Sequence, residues 1–263
     1  MDGVTQSYFT RDGDDAFVPT EHAGGAWYDN DLHLAPVAGL VIDHLERWRL
    51  ANAPGMVFSR LSLDVLGMIL RDRITLSVDV LRPGRTIELV QATAVIDGRS
   101  VILARGWLLQ SSDTTEAAGD AVEPFPPPGS FTRESWIKRW PGELIDSVDA
   151  TQSDDTRPGR AKVWVTSDVD LVAGEESTAL GEWAKFLDCA NGISWRQDPN
   201  VWMFPNVDLT LHLFRQPAGR WMGLDTRQDF GAGGLGLTSS VVHDEHGPVG
   251  VLAQSLTVRK QPD

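Results

Sequence analysis

The sequence predicts an α+β protein of two tandem units, each pairing one helix with four to six antiparallel strands. Three observations predict it. Each half holds one segment with apolar residues at helical spacing. Each such segment is followed by segments of alternating polarity, without the strand–helix–strand alternation of a parallel sheet. A stretch poor in large apolar residues divides the halves.

In the first half Val37, Leu40, Val41, His44, Leu45 and Trp48 share one helical face, with Glu46, Arg47 and Arg49 opposite. Pro54 and Gly55 end that helix. Leu61, Leu63 and Val65, then Ile74, Leu76, Val78 and Val80, alternate with polar residues as half-buried strands do. RPGR at 82–85 reads as a bend, Asp97-Gly98 as a hairpin turn, and VILARGWLL from Val101 as the last strand of the unit. Residues 112–130 contain four prolines and two glycines and read as a linker, leaving 1–111 and 131–263 as the units.

In the second half Leu180, Trp183, Ala184, Leu187 and Asn191 trace one face of a helix, with Ser177 or Thr178 as N-cap and Gly192 as stop. Val207, Leu209, Leu211 and Leu213 alternate with Asp208, Thr210 and His212, and further strands are expected at 221–225, 235–243 and 249–258. The halves align. Asp43 pairs with Asp188, Ser62 with Asp208, and Leu103-Ala104-Arg105 with Leu252-Ala253-Gln254, at offsets of 145, 146 and 149 residues. Three segments in one order at a nearly constant offset indicate an internal duplication.

Composition narrows the partners. With 23 Lys and Arg against 37 Asp and Glu, the net charge of −14 has the wrong sign for nucleic acid or an anionic membrane surface. The one cysteine, Cys189, forms neither an internal disulfide nor a cysteine zinc site and is expected to be a core thiol. The N-terminal segment MDGVTQSYFTRDGDD lacks the basic and apolar regions of a signal peptide, and no apolar run approaches the ~18 residues of a membrane span. A soluble, cytoplasmic protein is expected.

Several motifs lead nowhere. GAGGLG at 231–236 satisfies the dinucleotide glycine fingerprint but is followed by a strand-like segment with no room for a βαβ unit, so a loop is expected. His22 and His33 lack metal-ligand spacing on a helix, and His243 and His246 fall in a turn with Asp244. There is no GxSxG nucleophile elbow and no acid–base pair of the hydratase type. Trp183 and Trp195 flank the second helix as core residues or walls of a tunnel.

The segments FLDCANGISW, FPNVDLTLHLFRQPAGRWMGLD and HGPVGVLAQSLTVR resemble the C-terminal half of acyl-CoA thioesterase II type proteins, in their actinobacterial thioesterase-like branch. HAGGAWYDNDLHLAP and LRPGRTIEL fit the first half of the same family. The resemblance implies a double hotdog, in which each unit wraps a curved antiparallel sheet around a long helix. It also implies a helix aspartate, a Thr or Ser before the next strand and a last-strand glutamine that together hold and activate a water.

Asp188 matches the aspartate and Gln254 the glutamine. Asn206 stands where Thr or Ser is expected, and an amide does not reproduce a hydroxyl that both donates and accepts. Asp208 and His212 read as solvent or interface residues. The first half keeps Asp43 but carries Arg60 and Arg105 at the positions pairing with Asn206 and Gln254, and guanidiniums cannot accept a proton from water. One active site per chain is therefore expected, in the second unit.

The implied activity is cofactor-free hydrolysis of acyl-CoA to free acid and CoA. The alternative is a non-catalytic acyl-CoA or acyl-carrier binding protein of the same fold, suggested by Asn206. Arg215, Arg220, Arg259 and Lys260 are candidates to meet the CoA phosphates. Exposed sheet edges are expected to make the chain a homo-oligomer.

Overall fold

The first apolar stripe forms helix α1 (Leu34–Asn52), capped by the His33 side chain, which accepts from the Ala35 amide. From Leu34 to Asp43 every residue of α1 is buried, the signature of a helix wrapped on all sides rather than laid on a surface. The structure is a computed structural model and describes residues 6–25, 28 and 30–262. Residues 1–5 of the segment read for a signal peptide, and Ala26, Trp27 and Asp29 of HAGGAWYDNDLHLAP, lie outside the described residues.

Around α1 the first half supplies β1 (Ser7–Arg11), β2 (Ala16–Pro19), β3 (Met56–Val65), β4 (Ile74–Arg82), β5 (Ile87–Ile96) and β6 (Arg99–Gln110). The second supplies β7 (Arg133–Glu134), a short helix α2 (Glu143–Ser147), β8 (Asp149–Gln152), β9 (Arg160–Thr166) and β10 (Asp170–Val172). There follow helices α3 (Ala179–Ala184) and α4 (Cys189–Ile193), then β11 (Trp202–Met203), β12 (Asp208–Leu213) and β13 (Met222–Phe230). The chain closes with β14 (Leu235–Asp244), β15 (Gly247–Thr257) and β16 (Arg259–Lys260).

Fourteen of these strands make one sheet, in the order β10-β1-β2-β4-β5-β6-β3-β12-β15-β14-β13-β9-β8-β7. The units join at its centre, where β3 and β12 run antiparallel with Leu63 opposite Leu209 and Leu61 opposite Leu211. All four leucines are buried and belong to one apolar cluster that runs through both halves. The expected hairpin turn joins β5 to β6, with Asp97 and Gly98 both at positive φ (47° and 70°) as a two-residue turn of this hand requires. The helices of the two units cross at glycines. A Cβ on Gly39 would stand 2.8 Å from the Lys185 Cα, and one on Gly181 would stand 2.9 Å from the Asp43 Cα, so no larger residue fits without shifting backbone. This is the double hotdog implied by the resemblance.

Two expectations need correction. The second helix is not continuous: α3 ends at Ala184, and the chain reaches α4 through tight turns in which Leu187, Cys189 and Ala190 each bond three residues back. Thr178 is the N-cap as expected, whereas Gly192 lies inside α4 instead of ending it. Second, Arg105 is not the counterpart of Gln254. It points outward to Gln91, and the inward-facing residue there is Ala104, opposite Leu63. The terminal strands β10 and β7 are short, and the exposed edge expected from sequence lies on β4, where 77–82 pair with β5 alone and Val80 and Leu81 are exposed.

Residues 112–130 do not hang free. Phe125 stacks on His243 at 4.3 Å between ring centres, and the Pro126 carbonyl accepts from the Trp164 indole at 2.8 Å. Among the described residues no helix is long and apolar enough to cross a membrane.

Candidate active site

The break in the second helix matters because of where it leaves Asp188. Asp188 sits at the N-cap of α4, buried, with its carboxylate turned away from solvent. On β15, Gln254 shares the inward face with Leu252 and Leu256 and is fully buried. Its Nε2 donates to Asp188 Oδ1 at 2.8 Å. Its Oε1 is buried and has no protein partner. Asn206, bridged to Leu256 just before β12, lines the same pocket as Asp188, pulls its carboxyl pKa downward and donates its amide to the Asp208 carbonyl at 3.1 Å. The three residues expected from sequence are thus brought together.

A fourth comes from the other unit. His33, the N-cap of α1, places Nδ1 3.4 Å from Asp188 Oδ2. The same nitrogen accepts from the Ala35 amide at 3.1 Å, so two acceptors face each other unless a proton lies between them. Burial pushes the Asp188 carboxyl above the ordinary carboxylate range, against the opposing pull of His33, Asn206 and Gln254. Burial likewise pulls the His33 imidazole below its ordinary value, with Asp188 resisting. An aspartate shifted this way is a stronger proton acceptor than an exposed one.

The sequence reading weighed His33 only as a metal ligand. The overlooked signal is the duplication. His33 lies 145 residues before Thr178, the same offset that relates Asp43 to Asp188, and Thr178 is the N-cap expected for the second helix.

Asp188, Asn206 and His33 line a pocket of about 340 Å³ rimmed by Tyr28, Met68 and Val207, with Arg259 on its wall, and Gln254 is joined to it through Asp188. The first turn of α1 opens onto it. Leu34 at the first helical position lines the pocket, beside the Ala35 amide taken by the His33 side chain and Pro36, which has no amide hydrogen.

The remaining candidates fall elsewhere. Arg215 is bound bidentately to Asp244 at 2.6 Å, and Arg220 pairs with Asp168 and the Ser167 carbonyl. Of the four basic candidates Arg259 lines the pocket, and Lys260 is its exposed neighbour on β16. Asp208 accepts from the Ser255 amide, and His212 is exposed. Trp183 is a core residue, whereas Trp195 packs edge-on to Trp136 and Trp140. Cys189 adjoins Asp188, but burial pushes its thiol far up, so it is no nucleophile. The glycines of 231–234 form the turn between β13 and β14.

The family profile of the acyl-CoA thioesterase C-terminal domain matches residues 119–258, and that of the acyl-CoA thioesterase N-terminal domain matches 25–109. No curated protein matches the sequence. Among solved structures the chain is similar to an acyl-CoA thioesterase II, TesB2, of Mycobacterium marinum, at 14% identity over 96% of each chain and a TM-score of 0.65. It is also similar to the tesB protein of Mycobacterium avium subs. paratuberculosis, at 17% identity over 97% of this chain and 96% of that one, with a TM-score of 0.66. A hot dog fold protein from Alicyclobacillus acidocaldarius shows 13% identity over 97% and 96% of the two chains and a TM-score of 0.68. At these identities the structures speak for the fold, and the two domain matches speak for the family. The chain belongs to the acyl-CoA thioesterase family and is a thioester hydrolase.

Proposed function

We propose that the chain hydrolyses acyl-CoA to free acid and CoA by a water that Asp188 deprotonates. The observation that carries this is the unpartnered, buried Oε1 of Gln254, beside a desolvated carboxylate whose basicity burial has raised. Leaving a buried acceptor unsatisfied costs about 1–3 kcal/mol, and a water bound there recovers it. Such a water donates one proton to Gln254 and the other to Asp188.

The water oxygen then attacks the thioester carbonyl as Asp188 takes its proton. The Leu34 amide, at the positive end of α1, receives the oxyanion. Collapse of the tetrahedral adduct breaks the C–S bond, and the proton on Asp188 passes to the leaving thiolate. Asn206 holds the carboxylate from the side, and His33 contacts its second oxygen. Arg259 meets the phosphates of CoA.

The division into units 1–111 and 131–263 around a linker belongs to the same reading. So does a cytoplasmic setting, in keeping with a lone buried cysteine. A homo-oligomer could pair through the open edge of β4, and light scattering would measure it.

The test is thiol release from a panel of acyl-CoAs by wild type and Asp188→Asn. Turnover that falls about a hundredfold or more in the variant supports the assignment. Turnover indifferent to Asp188 removes it. Saturable binding with no turnover would favour the non-catalytic acyl-binding alternative.

A further inference from the structure

Behind Asp188 lies a second space. A small recess of about 40 Å³ shares His33, Asp188 and Asn206 with the main pocket and is lined further by Ile137, Ile145, Trp140, Gly192, Cys189 and Asn191. Trp140 also lines an open surface groove of about 590 Å³, together with Trp195 and Pro141. Trp140 is the residue the two linings share. It is pinned there, with Nε1 donating to the Gly192 carbonyl at 3.0 Å and the ring edge-on to Phe204 at 5.7 Å and Trp195 at 6.3 Å.

A thioester at Asp188 has two arms. The CoA arm carries phosphates and needs the open pocket, where Arg259 stands. The acyl arm is assigned to the smaller recess, where Ile137, Ile145 and Trp140 suit a short hydrocarbon. At ~10–15 Å³ for each water-sized group, 40 Å³ admits about three heavy atoms beyond the carbonyl.

We propose that Trp140 sets the substrate class of this enzyme, restricting it to thioesters of short acyl groups, two to four carbons long. This rests on the reading of Asp188 as the hydrolytic centre. Removing the indole joins the recess to the groove and gives a longer chain a way through.

The experiment measures kcat/KM of the full-length protein on acetyl-, butyryl-, octanoyl- and palmitoyl-CoA. In wild type, butyryl-CoA exceeds octanoyl-CoA by at least about tenfold. Trp140→Ala raises octanoyl-CoA turnover by at least about tenfold and reverses the order. Gly192→Ala gives a second readout that does not depend on Trp140→Ala folding. Its Cβ would lie 3.4 Å from the Trp140 indole nitrogen and 3.6 Å from Ile137, an ordinary contact that narrows the recess. The butyryl-to-acetyl ratio then falls at least about tenfold. A wild-type profile that is flat from butyryl to palmitoyl, yet collapses in Asp188→Asn, overturns this inference alone. Turnover absent on every chain length overturns the hydrolytic reading and this inference with it.

Discussion

Asp43 and Asp188 stand 145 residues apart, and each faces the N-cap residue of the other unit's helix. Asp43 faces Thr178, taking its amide on Oδ1 at 2.7 Å and the Arg47 guanidinium on Oδ2 at 2.6 Å. Asp188 faces His33, with one oxygen on the Gln254 amide and the other 3.4 Å from an imidazole nitrogen that already accepts a proton. Both carboxylates are buried, yet only the first has a cation against it. What separates a structural aspartate from the one proposed to react is saturation. Asp43 has every strong donor it needs and closes a helix crossing, whereas Asp188 is desolvated, short of charge compensation and next to an acceptor that only a water can satisfy.

The comparison breaks most severely at Gln254. The first unit has the inward-facing Ala104 where the second has the glutamine, so Gln254→Ala rewrites the proposed site in the image of its counterpart. Turnover should fall about a hundredfold, the cost typical of removing one positioned polar group from a reacting centre. Losing the Gln254 hydrogen bond also lets the Asp188 carboxyl rise further, so the acid limb of the kcat/KM profile should move to higher pH. A profile unchanged in both rate and midpoint would mean that Gln254 holds no water. Next in size is Asp43→Ala, which strands the Thr178 amide and Arg47. Denaturant unfolding should show a loss of about 1–3 kcal/mol, with kcat/KM of the folded protein within about twofold of wild type. A large loss of rate at unchanged stability would give the first unit a chemical role.

Much of this contrast was legible in the sequence, and the reasons for the rest are local. Alternation fixed β3, β4, β12 and β15 because one face of each packs on the core, and Asp97-Gly98 marked its hairpin because few other pairs accept two positive φ angles. Asp188, Gln254 and Asn206 were found because a family pattern names them. The break between α3 and α4 carries no Gly or Pro at 185–188. It is imposed by packing, where Lys185 lies against Gly39 and sends Nζ inward to the Val169 carbonyl and Glu182. Arg105 was misaligned by one residue because two shared letters in a strand cannot fix which face a side chain takes. His33 was missed because its partner lies 155 residues away in the other unit, although the duplication offset already set it opposite Thr178.

The smallest effect is the one that separates the two aspartates by sign. Burial raises the folded-state value of Asp188 above that of the unfolded chain, so the native state prefers the protonated form. Its contribution to stability is complete below the unfolded carboxylate range and is lost as pH rises through the folded value. At neutral pH the ionised carboxylate therefore weighs against folding. Asp188→Asn removes that burden. Its carbonyl still accepts from Gln254, and its amide can donate to His33 Nδ1, the lone pair that opposes the carboxylate. The variant should melt at a higher temperature than wild type at pH 8, with the gap narrowing toward pH 4 as Asp188 in the wild type takes up its proton. Asp43→Asn should instead melt lower at neutral pH, since it gives up a charge that Arg47 pairs. An Asp188→Asn protein that is inactive and more stable, beside an Asp43→Asn protein that is active and less stable, would be the stability–activity trade confined to one of two duplicated positions. If both substitutions lowered the melting temperature equally at pH 8, Asp188 would be as well compensated as Asp43, and the case for it as a strained base would fail.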